Sequence, residues 1–188
     1  MSQTDIDRII VERRTIHSFS TETFPEEILL DAIKVALYAP NHRLTQPIRV
    51  NMLENKESRE ILHNIYLKMD QEKNRILDQS KLQKRRNMVM NPPYLLVVSR
   101  VINPHPVVAR EDFATIACFI HNLSLSLWAH GIGLKWSTGD LMARPELYQL
   151  LAISPNDETI EALVPVGMPQ EIKEAAKRIP LEQVIRRI

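Results

Sequence analysis

Between Phe113 and His130 the chain carries apolar residues on nearly every side of a helix: Phe113, Ile116, Ala117 and Ile120 fall on one stripe, and Phe119, Leu123, Leu127 and Trp128 on others. A helix that is apolar all round does not stand in water; it lies in a core or against another subunit. Gly131 and Gly133 end it, where glycine supplies the left-handed turn geometry of a helix exit. They form no Rossmann fingerprint, since a third glycine and a preceding strand are lacking.

The other elements arrange themselves around this segment. Ile6, Ile9, Ile10 and Arg13 keep helical spacing, with Thr4 or Asp5 as cap, so a short helix delivers Arg13 and Arg14 at its C-terminal end. Thr15 to Thr23 reads as a polar loop. Pro25 suits a first helical turn, and the stripe Ile28, Ala32, Ile33, Ala36 and Leu37 runs until Pro40 stops it. Val50 to Leu53 is a short strand, and Asn55 to Asn87 holds one or two charged amphipathic helices. Tyr94 to Val98, a continuous apolar run, is a buried strand. Lys135 to Thr138 and Ala162 to Met168 are further strands, with a short helix from Pro145 to Leu151 between them. No linker divides residues 1–188, which are expected to form one domain.

Charge and cysteine content narrow the function. The 24 basic and 23 acidic residues nearly cancel, which argues against a general nucleic-acid binder, whose affinity comes from accumulated Lys and Arg. Cys118 is the one cysteine, so neither an intrachain disulfide nor a cysteine metal cluster can form; it is expected as a packed small side chain. Asp5, Asp7 and Glu12 interrupt any secretory leader and no apolar run reaches membrane-spanning length, so the expected compartment is the cytoplasm. His121 and His130, nine apart, face opposite sides of a helix, and no metal is expected. Lys81, Lys84, Arg85 and Arg86 stand near Asp70, Glu72 and Asp78 and read as a solvated face; Glu111-Asp112 reads as helix-start charge.

Four motifs remain: RRTIHSF from Arg13 to Phe19, APNHRLTQP from Ala39 to Pro47, GIGLKWSTG from Gly131 to Gly139, and Gly167-Met168-Pro169 with Arg178-Ile179-Pro180-Leu181-Glu182. Each alone has an ordinary explanation. A basic pair at a helix C-terminus, for example, offsets the dipole by a few tenths to about 1 kcal/mol without any ligand. In this order they resemble the FMN-dependent nitroreductase family, especially its small single-domain members. The resemblance runs from Arg13 to Val184 and is weakest from Asn55 to Asn87.

What the resemblance implies is an α+β fold with a central mixed or mainly antiparallel sheet flanked by helices, assembled as an intertwined homodimer with FMN in grooves between subunits. Arg13, Arg14 and Thr15 would approach FMN from one subunit and His42 and Gln46 from the partner; Trp136, Ser137 and Thr138 would lie along it, and Arg178 matches a phosphate-binding position. The chemistry of these residue types agrees. A phosphate dianion favours a bidentate Arg and a hydroxyl, and the pyrimidine edge of the flavin suits an amide such as Gln46. Negative charge gathers near N1 and O2 on reduction, where Arg13 or His42 could answer it. Trp136 serves as core or as cofactor wall, with the backbone of Ser137 and Thr138 the stronger candidate. No side chain is assigned as catalytic. Where the family commonly has Asn and Trp around the Q-P step, this chain has Leu44 and Ile48; His17 replaces a frequent Arg or Lys, and Ala176 a frequent basic residue. The expected activity is ping-pong transfer from NAD(P)H through FMN to a nitroaromatic or quinone-type acceptor. The alternative is a low-turnover flavin-binding or regulatory protein of the same fold.

Overall fold

The computed structural model describes residues 4–188; Met1 to Gln3, the start of the stretch read against a leader, lie outside the described residues. Four strands, Ile48–Met52 (β1), Tyr94–Val101 (β2), Gly133–Leu134 (β3) and Glu158–Gly167 (β4), form one antiparallel sheet in the order β1-β2-β4-β3. Asp5–Glu12 (α1), Glu26–Ala36 (α2), Lys56–Glu72 (α3), Gln79–Met90 (α4), Pro106–Trp128 (α5) and Pro145–Leu151 (α6) surround it. The expected α+β architecture is present, with antiparallel strands throughout the sheet.

Alternation along β2 explains its unbroken apolar run. Leu96 and Val98 turn to one face, where they meet Leu29, Ala32 and Ala36 of α2 and Ile116, Phe119, Ile120, Leu123 and Leu127 of α5. Leu95 and Val97 turn to the other, against Leu62 and Ile65 of α3, Val89 of α4 and Leu147 of α6. Since successive side chains point to opposite faces, a strand covered on both sides must be apolar at every position. Burying a side chain of this size contributes roughly 1.5–3 kcal/mol.

Several local expectations change. The strand expected at Lys135 to Thr138 lies earlier, at Gly133–Leu134, because Lys135 N–H donates to Pro165 O (3.1 Å) but Pro165 has no N–H to return. The pairing resumes as a single bridge, Ser137 to Leu163. The long helix starts at Pro106 rather than near Phe113, proline being well suited to a first turn. Pro25 caps α2 from outside instead of lying in its first turn. The segment from Thr15 to Thr23 is no simple polar loop: Ile16 and Phe19 are buried, and its main chain is clipped to Leu134 on one side and Met168–Gln170 on the other. Cys118 is exposed on α5, not packed.

Candidate functional site

Thr4 caps α1 through its hydroxyl, which accepts from Asp7 N–H at 3.2 Å, and Arg13 closes the other end with its N–H bonded to Ile9 O at 2.9 Å. From there the chain joins the sheet edge: Thr15 bridges Leu134 in parallel, and Ile16 N–H donates to Leu134 O at 3.1 Å. This approach requires a glycine at 133, since a Cβ there would lie 2.2 Å from Ile16 Cγ1. Gly133 therefore serves close packing, and the left-handed turn belongs to Gly131, with φ of 73°.

The docked segment gathers positive charge. Arg13 is half-buried, and its pKa is lowered first by that burial and then by the neighbouring Arg14 and Arg178. Arg14 Nε donates to Lys173 O (3.2 Å) and its Nη1 to Val11 O (2.7 Å) and Arg13 O (2.8 Å), so it also ties the C-terminal segment to this corner. His17 is held below the usual histidine value by burial, then by Lys135 and Lys173. Lys135, half-buried, is lowered by burial and by Arg85. Among the described residues, no carboxylate forms an ion pair with Arg13, Arg14, Lys135, Lys173 or Arg178. Mutually repelling cations without a counter-charge are an arrangement that a bound anion relieves.

The basic run on α4 has another purpose. Arg85 grips the nearly buried Asp70 with contacts of 2.9 to 3.2 Å and stacks 4.8 Å from the Tyr66 ring, while Arg86 bonds Glu60 at 2.5 and 3.0 Å. Arg85 and Arg86 are thus ties between α3 and α4, while Lys81 and Lys84 stay on the exposed face, Lys81 pairing with Asp78 at 3.4 Å.

The second candidate segment, Pro40 to Gln46, is held under backbone strain. Arg43, Leu44 and Gln46 have φ of 61°, 52° and 48°, a region that costs non-glycine residues on the order of 1–3 kcal/mol each. A side-chain network offsets this. Gln46 N–H donates to Asn41 Oδ1 (2.7 Å), Asn41 Nδ2 to Thr45 Oγ1 (2.9 Å), Thr45 Oγ1 to Asp112 Oδ1 (2.5 Å), and Thr115 Oγ1 to Pro40 O (3.0 Å). Asp112 and Thr115, both on α5, are each 2% exposed. Asp112 is thus an anchor in the interior of α5 and not helix-start charge. The exposed side chains of His42 and Gln46 make no hydrogen bond among the described residues.

Along GIGLKWSTG, Trp136 is 38% exposed and so is not a core side chain of the single chain. Ser137 exchanges both main-chain bonds with Leu163, at 3.0 and 2.9 Å, so its backbone is committed to the sheet. Thr138 is exposed and not tied in this way.

The structure brings Arg13, Arg14, Thr15, Lys135 and Arg178 to one corner and keeps His42 and Gln46 at another. The first corner lies by β3 and the second precedes β1, the opposite edge of the sheet, about 14 Å away at about 4.8 Å per strand spacing. Along α5, Thr115 beside the loop and Trp128 beside the glycines stand about 20 Å apart at 1.5 Å per residue. Within one chain the two candidate segments are therefore well separated. Lys135, Lys173, Thr45 and Thr115 were not singled out from sequence, and Asp112 was read only as helix-start charge. Lys135 and Thr45 lay inside quoted motifs, but the contacts of Thr45 with Asp112 and of Thr115 with Pro40 join residues 67 or more apart, and Lys173 depends on the course of the C-terminal segment.

Comparison with known proteins places this geometry. Residues 10–168 match the model of the nitroreductase family. The Bacillus subtilis (strain 168) protein YfhC, whose name places it among NAD(P)H nitroreductases, is 31% identical over 173 residues, covering 92% of this chain and 89% of that one. A crystal structure of a nitroreductase-like family protein from Bacillus cereus superposes with a TM-score of 0.86 at 22% identity, covering 100% of this chain and 98% of that chain. A nitroreductase-type protein from Desulfovibrio desulfuricans, solved in complex with FMN, gives a TM-score of 0.77 at 18% identity, with 100% and 98% coverage. The match through most of the length, together with the YfhC relationship, establishes that this chain belongs to the nitroreductase family.

Proposed function

We propose that the protein is an FMN-dependent NAD(P)H oxidoreductase that acts as a cytoplasmic homodimer, one domain per chain, reducing nitroaromatic or quinone-type acceptors. The observation that carries this reading is the corner of uncompensated cations, Arg13, Arg14 and Arg178, beside the Thr15 hydroxyl in a chain of this family. The donor set fits a phosphate dianion, for which guanidinium forks and a hydroxyl are apt partners. When bound, FMN supplies a two-electron carrier that accepts hydride from NAD(P)H and passes it to the acceptor. Arg13, Thr15 and Arg178 would hold its phosphate, and Trp136 and Thr138 would flank it.

His42 and Gln46 would contribute from the second copy, the Gln46 amide offering both donor and acceptor to the ring's polar edge. Support for the second copy comes from the distance between the half-sites and from apolar surface lacking a partner within the chain: Val11 at 61% exposure, and Ile172, Ile179, Leu181 and Val184 along the C-terminal segment. A contiguous exposed apolar stretch, such as the C-terminal segment offers, suits an association surface. Among the described residues, no helix is long and apolar enough to cross a membrane. In this reading the chain binds, orients and excludes water, and no side chain needs to act as acid or base. One open face serves both substrates, so NAD(P)+ leaves before the acceptor enters.

Purified protein mixed with FMN and desalted should keep the flavin absorption bands and consume NAD(P)H steadily with a quinone or nitroaromatic. Absence of retained flavin removes the proposal; retained flavin without turnover favours the low-turnover binding protein.

A further inference from the structure

On the loop side, a cleft of about 540 Å³ opens between the end of α2, the strained 41–46 turn and β1. Leu37, Tyr38, Leu44 and Ile48 give it an apolar wall, and Arg49 is its one charged side chain. Leu44 and Ile48 are two of the positions where the chain departs from the family's usual Asn and Trp; isoleucine fills less space than tryptophan.

Arg49, though exposed, is tied to the main chain beside it. Its Nη1 donates to Gln46 O at 3.2 Å and to Ile48 O at 2.8 Å, so the main chain of the candidate loop sets the direction of the guanidinium. Among the described residues it has no carboxylate partner, in contrast to Arg100 on the adjacent strand, which pairs with Glu161 at 2.8 Å. The remaining donors of the fork are therefore unclaimed at the edge of an apolar cleft. A planar guanidinium matches a carboxylate, and an apolar wall of this size matches an aromatic ring.

We propose that this cleft is the acceptor subsite and that Arg49 selects electron-poor aromatic acceptors carrying a carboxylate. The inference rests on the oxidoreductase reading above, because the cleft shares Asn41 and Gln46 with the loop half-site.

The test compares 4-nitrobenzoate with its uncharged counterpart 4-nitrobenzamide, binding each by calorimetry to the full chain after FMN addition, in wild-type, Arg49→Gln and Arg49→Lys proteins. The acid should bind about tenfold tighter than the amide in the wild type, as one charge-assisted contact implies. Arg49→Gln should bring the ratio to about one, and Arg49→Lys should restore part of it. The ratio of kcat/KM for the two acceptors should follow, through KM rather than kcat. A wild-type ratio near one, or a ratio unchanged in Arg49→Gln, overturns the inference. Failure to retain FMN sinks the functional reading instead, while the calorimetric ratio on the same protein still decides the subsite.

Discussion

Replacing Gly133 with alanine asks whether the basic corner is positioned by the close contact between β3 and the segment after α1. The new Cβ would lie 2.2 Å from Ile16 Cγ1, 3.1 Å from Ile16 Cβ and 3.3 Å from Pro169 Cγ. Carbon contacts are optimal at about 3.5–4.0 Å, so the segment must retreat by roughly 1.3 Å or more. Ile16 is fully buried and its Cγ1 is near the root of the side chain, so the contact cannot be relieved by swinging a flexible tip. Overpacking of this kind costs about 1–3 kcal/mol, and expelling Ile16 into water would cost about 1.5–3 kcal/mol, so both routes lead to a similar loss. Urea unfolding at fixed protein concentration should show a lower midpoint with an unchanged slope. Ile16→Ala alone should cost about 2–5 kcal/mol, but it also removes Cγ1; the double variant should therefore lose less than the sum, by about 1 kcal/mol or more. Because Arg13 and Thr15 ride on the same segment, Gly133→Ala should also weaken flavin retention. An alanine tolerated without cost, or strict additivity with Ile16→Ala, would refute this account of the corner.

Three further perturbations separate the other parts of the structure. Thr45→Val keeps the shape but removes the bonds to Asp112 and Asn41, leaving a buried carboxylate without that donor; urea unfolding should register a loss of about 1.5–3 kcal/mol. Arg13→Ala should weaken FMN binding by about 1.5–3 kcal/mol in a fluorescence titration, and an unchanged affinity would remove Arg13 from the phosphate site. His63 is buried with Nε2 lacking a partner, and its pKa is lowered by burial first and by Arg86 next. Below about pH 6.5 the unfolded chain takes up a proton there that the folded chain resists, so this contribution is present above that pH and is lost as pH falls. His63→Gln should flatten the pH dependence of the unfolding midpoint in that window; an identical slope in both proteins would exclude His63 as its source.

Sequence alone determined the features that depend on short-range pattern. The apolar run of Tyr94 to Val98 had to be a strand covered on both faces, and helical spacing with a Thr4 cap located Asp5–Glu12 and hence Arg13 at its end. The four motifs were legible as a family resemblance because each is built of short contiguous stretches. What only tertiary structure decided are the pairings between distant segments. Asp112 is an anchor because the loop at Thr45 folds onto α5, 67 residues away. Arg85 and Arg86 are inter-helix ties because α3 turns Asp70 and Glu60 toward them. Arg178 joins Arg13, and Lys173 joins His17, because the C-terminal segment returns to the N-terminal corner, held there by Arg14. Local periodicity fixes which side of an element is apolar; electrostatic and hydrogen-bond partners are chosen by proximity in space, which periodicity does not encode.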